Sequence, residues 1–374
     1  MNMHVFWRSS AACTAALAVL LCTPLTGFAE ESSDSTEAES TLGAEVSEDS
    51  DSAEDEYQTY TSGDYTYSVV VDAEDSSRRA ARIESYQGSE TEIEIPSDLE
   101  GLDVVSLGDY AFAGESSVTK FTIPAKLTEL GRYTFAACTS LTEYEVAADN
   151  PYLEAKDGIL YADEGATLMR YPIGQKPTDL VIEDGIEHIG HVAFADCSSL
   201  TSVKFPDSLN YIGVSAFADC IGLTEITLPE TITSIQDFTF NSCTNLKTVN
   251  LPSGLTSIGA AAFSSTAIEN ITLPDSLMSI GEQAFINTPM MEITIPRSVS
   301  EIGYSALGWS VKPEGQLYPK DGFTIRGYIN SAADSYISDE DYENRNFTFE
   351  ALDSDTLESS EEESDDDATQ EIVS

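Results

Sequence analysis

Apolar and polar positions alternate along this chain in a pattern that repeats with the length of a small supersecondary unit, not with the turn of a helix. Phenylalanine marks the period: Phe112, Phe135, Phe194, Phe217, Phe240, Phe263 and Phe285 follow one another at steps of 23, 59, 23, 23, 23 and 22 residues. A small residue and an upstream glycine accompany the ring, as in Gly190, Ala193 and Phe194, or Gly259, Ala262 and Phe263. Between rings, alternating apolar runs end in proline: Val203-Lys204-Phe205-Pro206, Ile226-Thr227-Leu228-Pro229, Val249-Asn250-Leu251-Pro252 and Ile271-Thr272-Leu273-Pro274. One unit reads L-x-x-I-x-L-P-x-x-L-x-x-I-G-x-x-A-F-x-x-C-x-x. A segment this short cannot bury its apolar positions alone, so copies stack, each covering the next around one continuous core. The pattern predicts an α/β-type repeat solenoid, mostly β, of about eight coils of 22–23 residues.

Within a unit the L-x-x-I-x-L run predicts a short strand. Leu223, Ile226 and Leu228 face inward and Glu225 and Thr227 outward, because side chains alternate along a strand. Pro229 has no amide hydrogen and stops the ladder. Leu255-Thr256-Ser257-Ile258-Gly259 predicts a second extended segment or turn on the opposite side, with the glycine permitting a left-handed backbone. Ala262-Phe263 then closes the coil, and the column of phenylalanines forms the structural spine. The 59-residue step leaves extra material around Ala147 to Lys176. There Asp157-Gly158, Ile159-Leu160-Tyr161, Gly165 and Leu168-Met169-Arg170-Tyr171-Pro172 read as a hairpin that either covers the neighbouring coil or adds a binding surface. The last unit replaces phenylalanine with Leu307 and continues to Trp309, as expected where a terminal coil meets a cap. At the front, Tyr65 to Val71 and Ala81 to Tyr86 predict a capping hairpin.

On these motifs the chain resembles the BspA-type leucine-rich repeats of bacterial secreted and surface proteins, over roughly residues 60–352. The flanks, Ser62-Gly63-Asp64-Tyr65-Thr66-Tyr67 before the repeats and Phe323-Thr324-Ile325, Gly327-Tyr328 and Ser331-Ala332-Ala333 after them, look like that family's end pieces. The resemblance implies a right-handed leucine-rich repeat superhelix and adhesion to host or neighbouring-cell components. The expected organisation is a signal peptide over 1–29, an acidic linker over 30–56, an N-terminal cap over 57–100 and repeats over 101–310 with a hairpin insert at 147–177. A C-terminal cap over 311–352 and an acidic tail over 353–374 follow.

The opening residues carry Arg8, an apolar stretch from Ala11 to Leu21 and Gly27-Phe28-Ala29, the small residues a signal peptidase accepts before a cut after Ala29. That stretch is about half of the roughly 20 residues needed to span a bilayer, so secretion without membrane insertion is expected. The formal charge is −49. Residues 30–56 hold 12 acidic residues and 353–374 hold 10, with no basic residue in either, so both are expected to be disordered tails. Residues 57–352 still hold 44 acidic against 16 basic residues. Nucleic acid is therefore a poor partner, since phosphate contact requires clustered lysine and arginine.

Catalytic signatures are missing: there is no G-x-S-x-G, glycine-rich phosphate loop or H-E-x-x-H. No enzyme activity, metal or cofactor is expected. His188 and His191 read as surface histidines. Cys138, Cys197, Cys220 and Cys243 each follow a repeat phenylalanine by three residues, a slot that Glu115, Thr266 or Thr288 fills elsewhere, and read as free packed thiols. The candidate binding face is the outward strand row: Ser202, Lys204, Glu225, Thr227, Thr248, Asn250, Asn270, Thr272, Glu292 and Thr294. A second candidate is the aromatic set after the turn glycine, Tyr133, Phe238 and Tyr304 with Tyr110. The expected product is a secreted or loosely surface-associated monomer that binds an extracellular protein or glycan. The alternative is a structural or cation-binding envelope component acting through its acidic tails.

Overall fold

Each coil follows from the repeat: an alternating run forms a strand, proline ends it, a second short strand lies opposite, and a phenylalanine fills the interior. The structure, a computed structural model, describes residues 58–73, 75–338 and 346–352. The signal peptide and both acidic tails lie outside the described residues. The solenoid has about eleven turns, not eight. The added turns are the inserted coil around Tyr171 and the strands Arg79–Tyr86 and Thr324–Gly327, which carry the stack into the two caps.

On one side, outward-polar strands pair in parallel: Glu92–Glu94 with Lys120–Ile123 and Glu143–Val146, Asp179–Val181 with Ser202–Lys204, and Glu225–Thr227 with Thr248–Asn250. Glu292–Thr294 pairs with Thr324–Gly327, which pairs with Thr348–Ala351. Leu223, Ile226 and Leu228 are buried, while Glu225 and Thr227 face solvent. Opposite runs a second ladder of two-residue strands, Ser234–Ile235, Ser257–Ile258, Ser279–Ile280 and Glu301–Ile302. The spine stands between them. Phe194, Phe217, Phe240, Phe263 and Phe285 are fully buried, with successive ring centroids 5.0, 5.6, 5.5 and 5.4 Å apart and planes within 15° of parallel.

The third side closes each coil without strands. Val192, Ser215, Phe238, Ala261 and Gln283, two places past the turn, have φ between 50° and 58°. Their amides bond forward from coil to coil: Val192 N to Val214 O, Ser215 N to Asp237 O, Phe238 N to Ala260 O, Ala261 N to Glu282 O and Gln283 N to Tyr304 O. Aligned peptide dipoles strengthen one another along such a column. The spine's own amides make a parallel column that reaches Ala306 O, and Tyr336 closes this end. Its hydroxyl accepts from Leu307 N at 3.1 Å and donates to Leu307 O at 3.0 Å.

The turn glycine has a different role from the expected one. Gly131, Gly213, Gly259, Gly281 and Gly303 do not take the left-handed backbone. A Cβ on them would lie 2.4–2.6 Å from backbone atoms of the preceding coil, so glycine is required for close approach. The left-handed conformation falls two residues later, on side chains as large as Phe238 and Tyr133.

The core is not continuous. It divides into one cluster from Tyr67 to Leu160 and another from Tyr161 to Tyr336, which meet at the insert. There Leu153–Lys156 and Ile159–Ala162 form an antiparallel hairpin through Asp157-Gly158, and Ile159–Ala162 continues into Thr167–Arg170. Thr167–Arg170 then pairs in parallel with His188–Ile189 and returns to the solenoid. Tyr171, 23 residues before Phe194, takes the spine position, stacked 5.3 Å from that ring. The second part of the sequence-predicted hairpin is thus a shortened coil.

Candidate functional site

The ten outward residues of the candidate face lie along one side of the solenoid. Glu225 stands opposite Thr248 and Thr227 opposite Asn250, whose Nδ2 donates to Thr227 Oγ1 at 2.9 Å. Ser202 donates from its hydroxyl to Asp179 Oδ1 at 2.6 Å and is half-buried, while Lys204 is exposed. Asn270 and Thr272 are exposed but belong to no strand. In their coil Ile268 follows Phe263 by five positions, where in the coil before it Leu246 follows Phe240 by six, and strand pairing lapses there. Glu292 binds Arg326 at 3.0 Å, and Thr294 stands opposite Arg326 in the ladder.

The face changes chemically along its length. Toward the N-terminal end Glu143 and Glu145 gather on Lys120, and at the other end Glu292 and Glu350 hold Arg326. These exposed pairs each contribute little, since solvent screens them. The middle, from Thr227 through Asn250 to Thr272, is uncharged. Of the aromatic set, Tyr110 and Tyr133 stack 5.3 Å apart and Phe238 is half-buried, so these rings lie on the third side and do not extend the strand face. The Tyr133 hydroxyl bonds Ser215 Oγ at 2.7 Å, across the insert.

A concave site appears where the sequence analysis placed none. In the coil of Phe194 four residues separate Ile189 from the ring, but only two separate Leu168 from Tyr171. Met169 also replaces the turn glycine, and a Cβ on the next one, Gly190, would find its nearest neighbour at 3.2 Å, looser than in the regular coils. The second ladder does not bridge Glu129–Leu130 to Thr167–Arg170. A cleft of about 580 Å³ opens at that break, lined by residues that include Arg132, Arg170, His188, His191, Asn210 and Tyr211.

The local bonding fixes these groups. Arg170 is buried and donates to Met169 O at 2.7 Å, His191 O at 2.6 Å and Gly131 O at 3.3 Å, so it ties the two halves of the core together. Thr167 donates its hydroxyl to Asp163 at 2.7 Å, which leaves Thr167 Oγ1 as the acceptor for His188 Nδ1–H at 3.2 Å. His191 Nδ1 accepts from Val214 N at 3.0 Å, which leaves Nε2 as the nitrogen able to carry a proton. Desolvation, and then the charges of Arg132 and Arg170, hold the His191 pKa below the usual histidine value. Both imidazoles meet the Tyr211 ring edge-on at 6.2 Å. Among the described residues no group of three or more His, Cys, Asp or Glu is placed to hold a metal ion. The missing signal was a spacing: the two residues absent before Tyr171.

The repeat geometry is matched by a family signature. The BspA type leucine rich repeat region matches residues 85–156 and 187–312 in six copies, more than half of the 374 residues. This chain belongs to the BspA-type leucine-rich repeat family. The part of this leucine-rich repeat protein left out between the two matches, residues 157–186, holds the second strand of the inserted hairpin, Ile159–Ala162, and the shortened coil around Tyr171. It is similar to a leucine rich cell surface protein of Faecalibacterium prausnitzii at 26% identity, over 73% of this chain and 65% of that one, with a TM-score of 0.36. It is also similar to a leucine-rich repeat protein of Bacteroides ovatus (22% identity, 72% and 70% of the chains, TM-score 0.40). A third similar structure is the pneumococcal vaccine antigen PcpA (20% identity, 72% and 71%, TM-score 0.45). No curated protein matches the chain. No helix among the described residues is long and apolar enough to cross a membrane.

Proposed function

We infer that this leucine-rich repeat protein is a secreted, non-catalytic binding protein that engages an extended extracellular protein or glycan along its outward strand face. The observation that carries the reading is the register of adjacent coils, Glu225 opposite Thr248 and Thr227 opposite Asn250, with exposed polar side chains at the matching positions Asn270 and Thr272 of the next coil. Adjacent rungs lie about 5 Å apart. Such spacing suits a partner that runs along the solenoid, and the uncharged middle offers hydroxyl and amide groups without strong desolvation cost. The signal peptide expected from the sequence over 1–29 and the family's surface context support an extracellular setting.

The test uses the full chain and a variant carrying Thr227→Arg and Thr272→Arg, two exposed substitutions that leave the core untouched. Both proteins are probed against immobilised purified extracellular-matrix proteins and glycans. Binding by the native chain and its loss in the variant, with unchanged circular dichroism, is the expected result. Equal binding by both would remove the strand face from consideration. Binding that instead disappears on deletion of 30–56 and 353–374 would favour the acidic tails.

A further inference from the structure

The cleft beside the inserted coil has a charge pattern opposite to that of the rest of the molecule. The chain holds 66 acidic residues against 17 lysines and arginines, yet no lining residue of this cleft is acidic. Two are arginines, and two are the histidines at 188 and 191. Arg170 is buried and its hydrogen bonds all end on backbone carbonyls. Among the described residues neither Arg170 nor Arg132 has a carboxylate within ion-pairing distance, and of the two Arg170 is the one buried away from solvent. A buried guanidinium without a counter-ion is costly, and a ligand that brings a negative charge offsets that cost.

The remaining walls narrow the ligand's chemistry. Tyr211, Leu130 and Met169 supply aromatic and apolar surface, while Asn210, Thr233 and Ser234 supply an amide and two hydroxyls. The cleft's volume of about 580 Å³ falls inside the range of about 300–1,000 Å³ usual for small-molecule sites. A carboxylate on an otherwise neutral, hydroxyl-rich ring meets every one of these surfaces. A polyanion does not, because the surrounding negative field repels a charge on every unit. A peptide carboxyl terminus is usually captured by backbone amides, and the polar groups here are side chains.

We propose that this cleft binds the carboxylate of an acidic sugar, of the uronic or sialic acid type, at the end of a glycan. Arg132 pairs with the carboxylate in the field of the buried Arg170. The ring rests against Tyr211, and Asn210, Thr233 and Ser234 bond its hydroxyls. The site lies on the second ladder and is separate from the strand face, so it holds or fails independently of the function inferred above.

The experiment is a titration of the full chain with glucuronate and N-acetylneuraminate, followed by calorimetry and by chemical-shift changes of the two histidine rings. Arms with the glucuronate methyl ester, glucose, phosphate and an acetylated dipeptide run in parallel. Saturable binding of an acid sugar that moves both imidazoles is expected. Arg132→Gln, at an exposed site, weakens it by about tenfold or more, the equivalent of one charge-assisted hydrogen bond. Tyr211→Ala weakens it as well, while the doubly substituted strand-face variant binds as the native chain does. No saturation by either acid sugar, equal binding of the methyl ester, or equal binding of phosphate or the dipeptide would overturn the assignment. So would full affinity in Arg132→Gln.

Discussion

The ring of Phe240 lies 5.5 Å from that of Phe263, with the two planes within 7° of parallel. Each ring is thus wall and floor for its neighbours, and removing one opens a gap that backbone stacking prevents from closing. Phe240→Ala is expected to cost about 3–5 kcal/mol. In a stack whose coils contact only their neighbours, the loss should appear in urea denaturation as a separate early transition of the C-terminal coils. A single transition with an unchanged midpoint would contradict the spine.

Gly259 and Gly254 sit five residues apart and should respond with opposite signs. A Cβ at 259 would meet Asp237 N at 2.6 Å, and the coils would have to part, so Gly259→Ala is expected to destabilise by about 1–3 kcal/mol or more. Gly254 has nothing within 4 Å and no left-handed φ. Gly254→Ala restricts only the unfolded chain and is expected to stabilise by about 0.4–1 kcal/mol. Melting temperatures of the two variants decide it.

Cys138, Cys220 and Cys243 donate their Sγ hydrogens to Phe112 O, Phe194 O and Phe217 O at 3.2, 3.2 and 3.1 Å, each one coil back. All four repeat thiols are free and buried. Burial pushes the Cys138 thiol up to about 12 and raises Cys197, Cys220 and Cys243 as well. The thiolate is the reactive form. Iodoacetamide labelling of the folded chain, mapped by mass spectrometry, should leave these four unmodified until denaturant is added. Rapid native labelling of Cys220 would show that the coils open there.

The fold was legible because stacking repeats one set of constraints. The Phe spacing, the alternation around Ile226 and the proline after Leu228 each report a position that every coil shares. The turn glycine was found but misread, since sequence does not distinguish a residue that needs φ > 0 from one that needs no Cβ. At Gly259 the second holds, and Ala261 carries the positive φ. Tyr171 was within reach, lying 23 residues before Phe194, but its neighbours Leu168 and Met169 also fit a strand of the insert. The cleft was not legible. It depends on a coil that is short on one side, and it joins Arg132 to His188 and His191 across an insertion whose path no local pattern encodes.

Asp219 and Asp196 occupy equivalent positions in adjacent coils, two residues past the spine ring, on the third side. Burial first, and the charge of Asp196 second, raise the Asp219 carboxyl to about 6 from 3.8, partly offset by the Ser242 hydroxyl. The folded state therefore binds a proton that the unfolded chain releases at lower pH. The stability linked to this group is fully present below about pH 4 and is lost as pH rises through about 6. Two units correspond to about 3 kcal/mol, and because the carboxyl keeps some solvent contact screening reduces this to about 1 kcal/mol. Asp219→Asn keeps a residue that tolerates the left-handed backbone and removes the ionisation. The variant is expected to melt higher than the native chain near pH 8 and to match it near pH 4. A difference that is constant across that range, or that has the opposite sign, would show that the Asp196–Asp219 pair does not control the pH response.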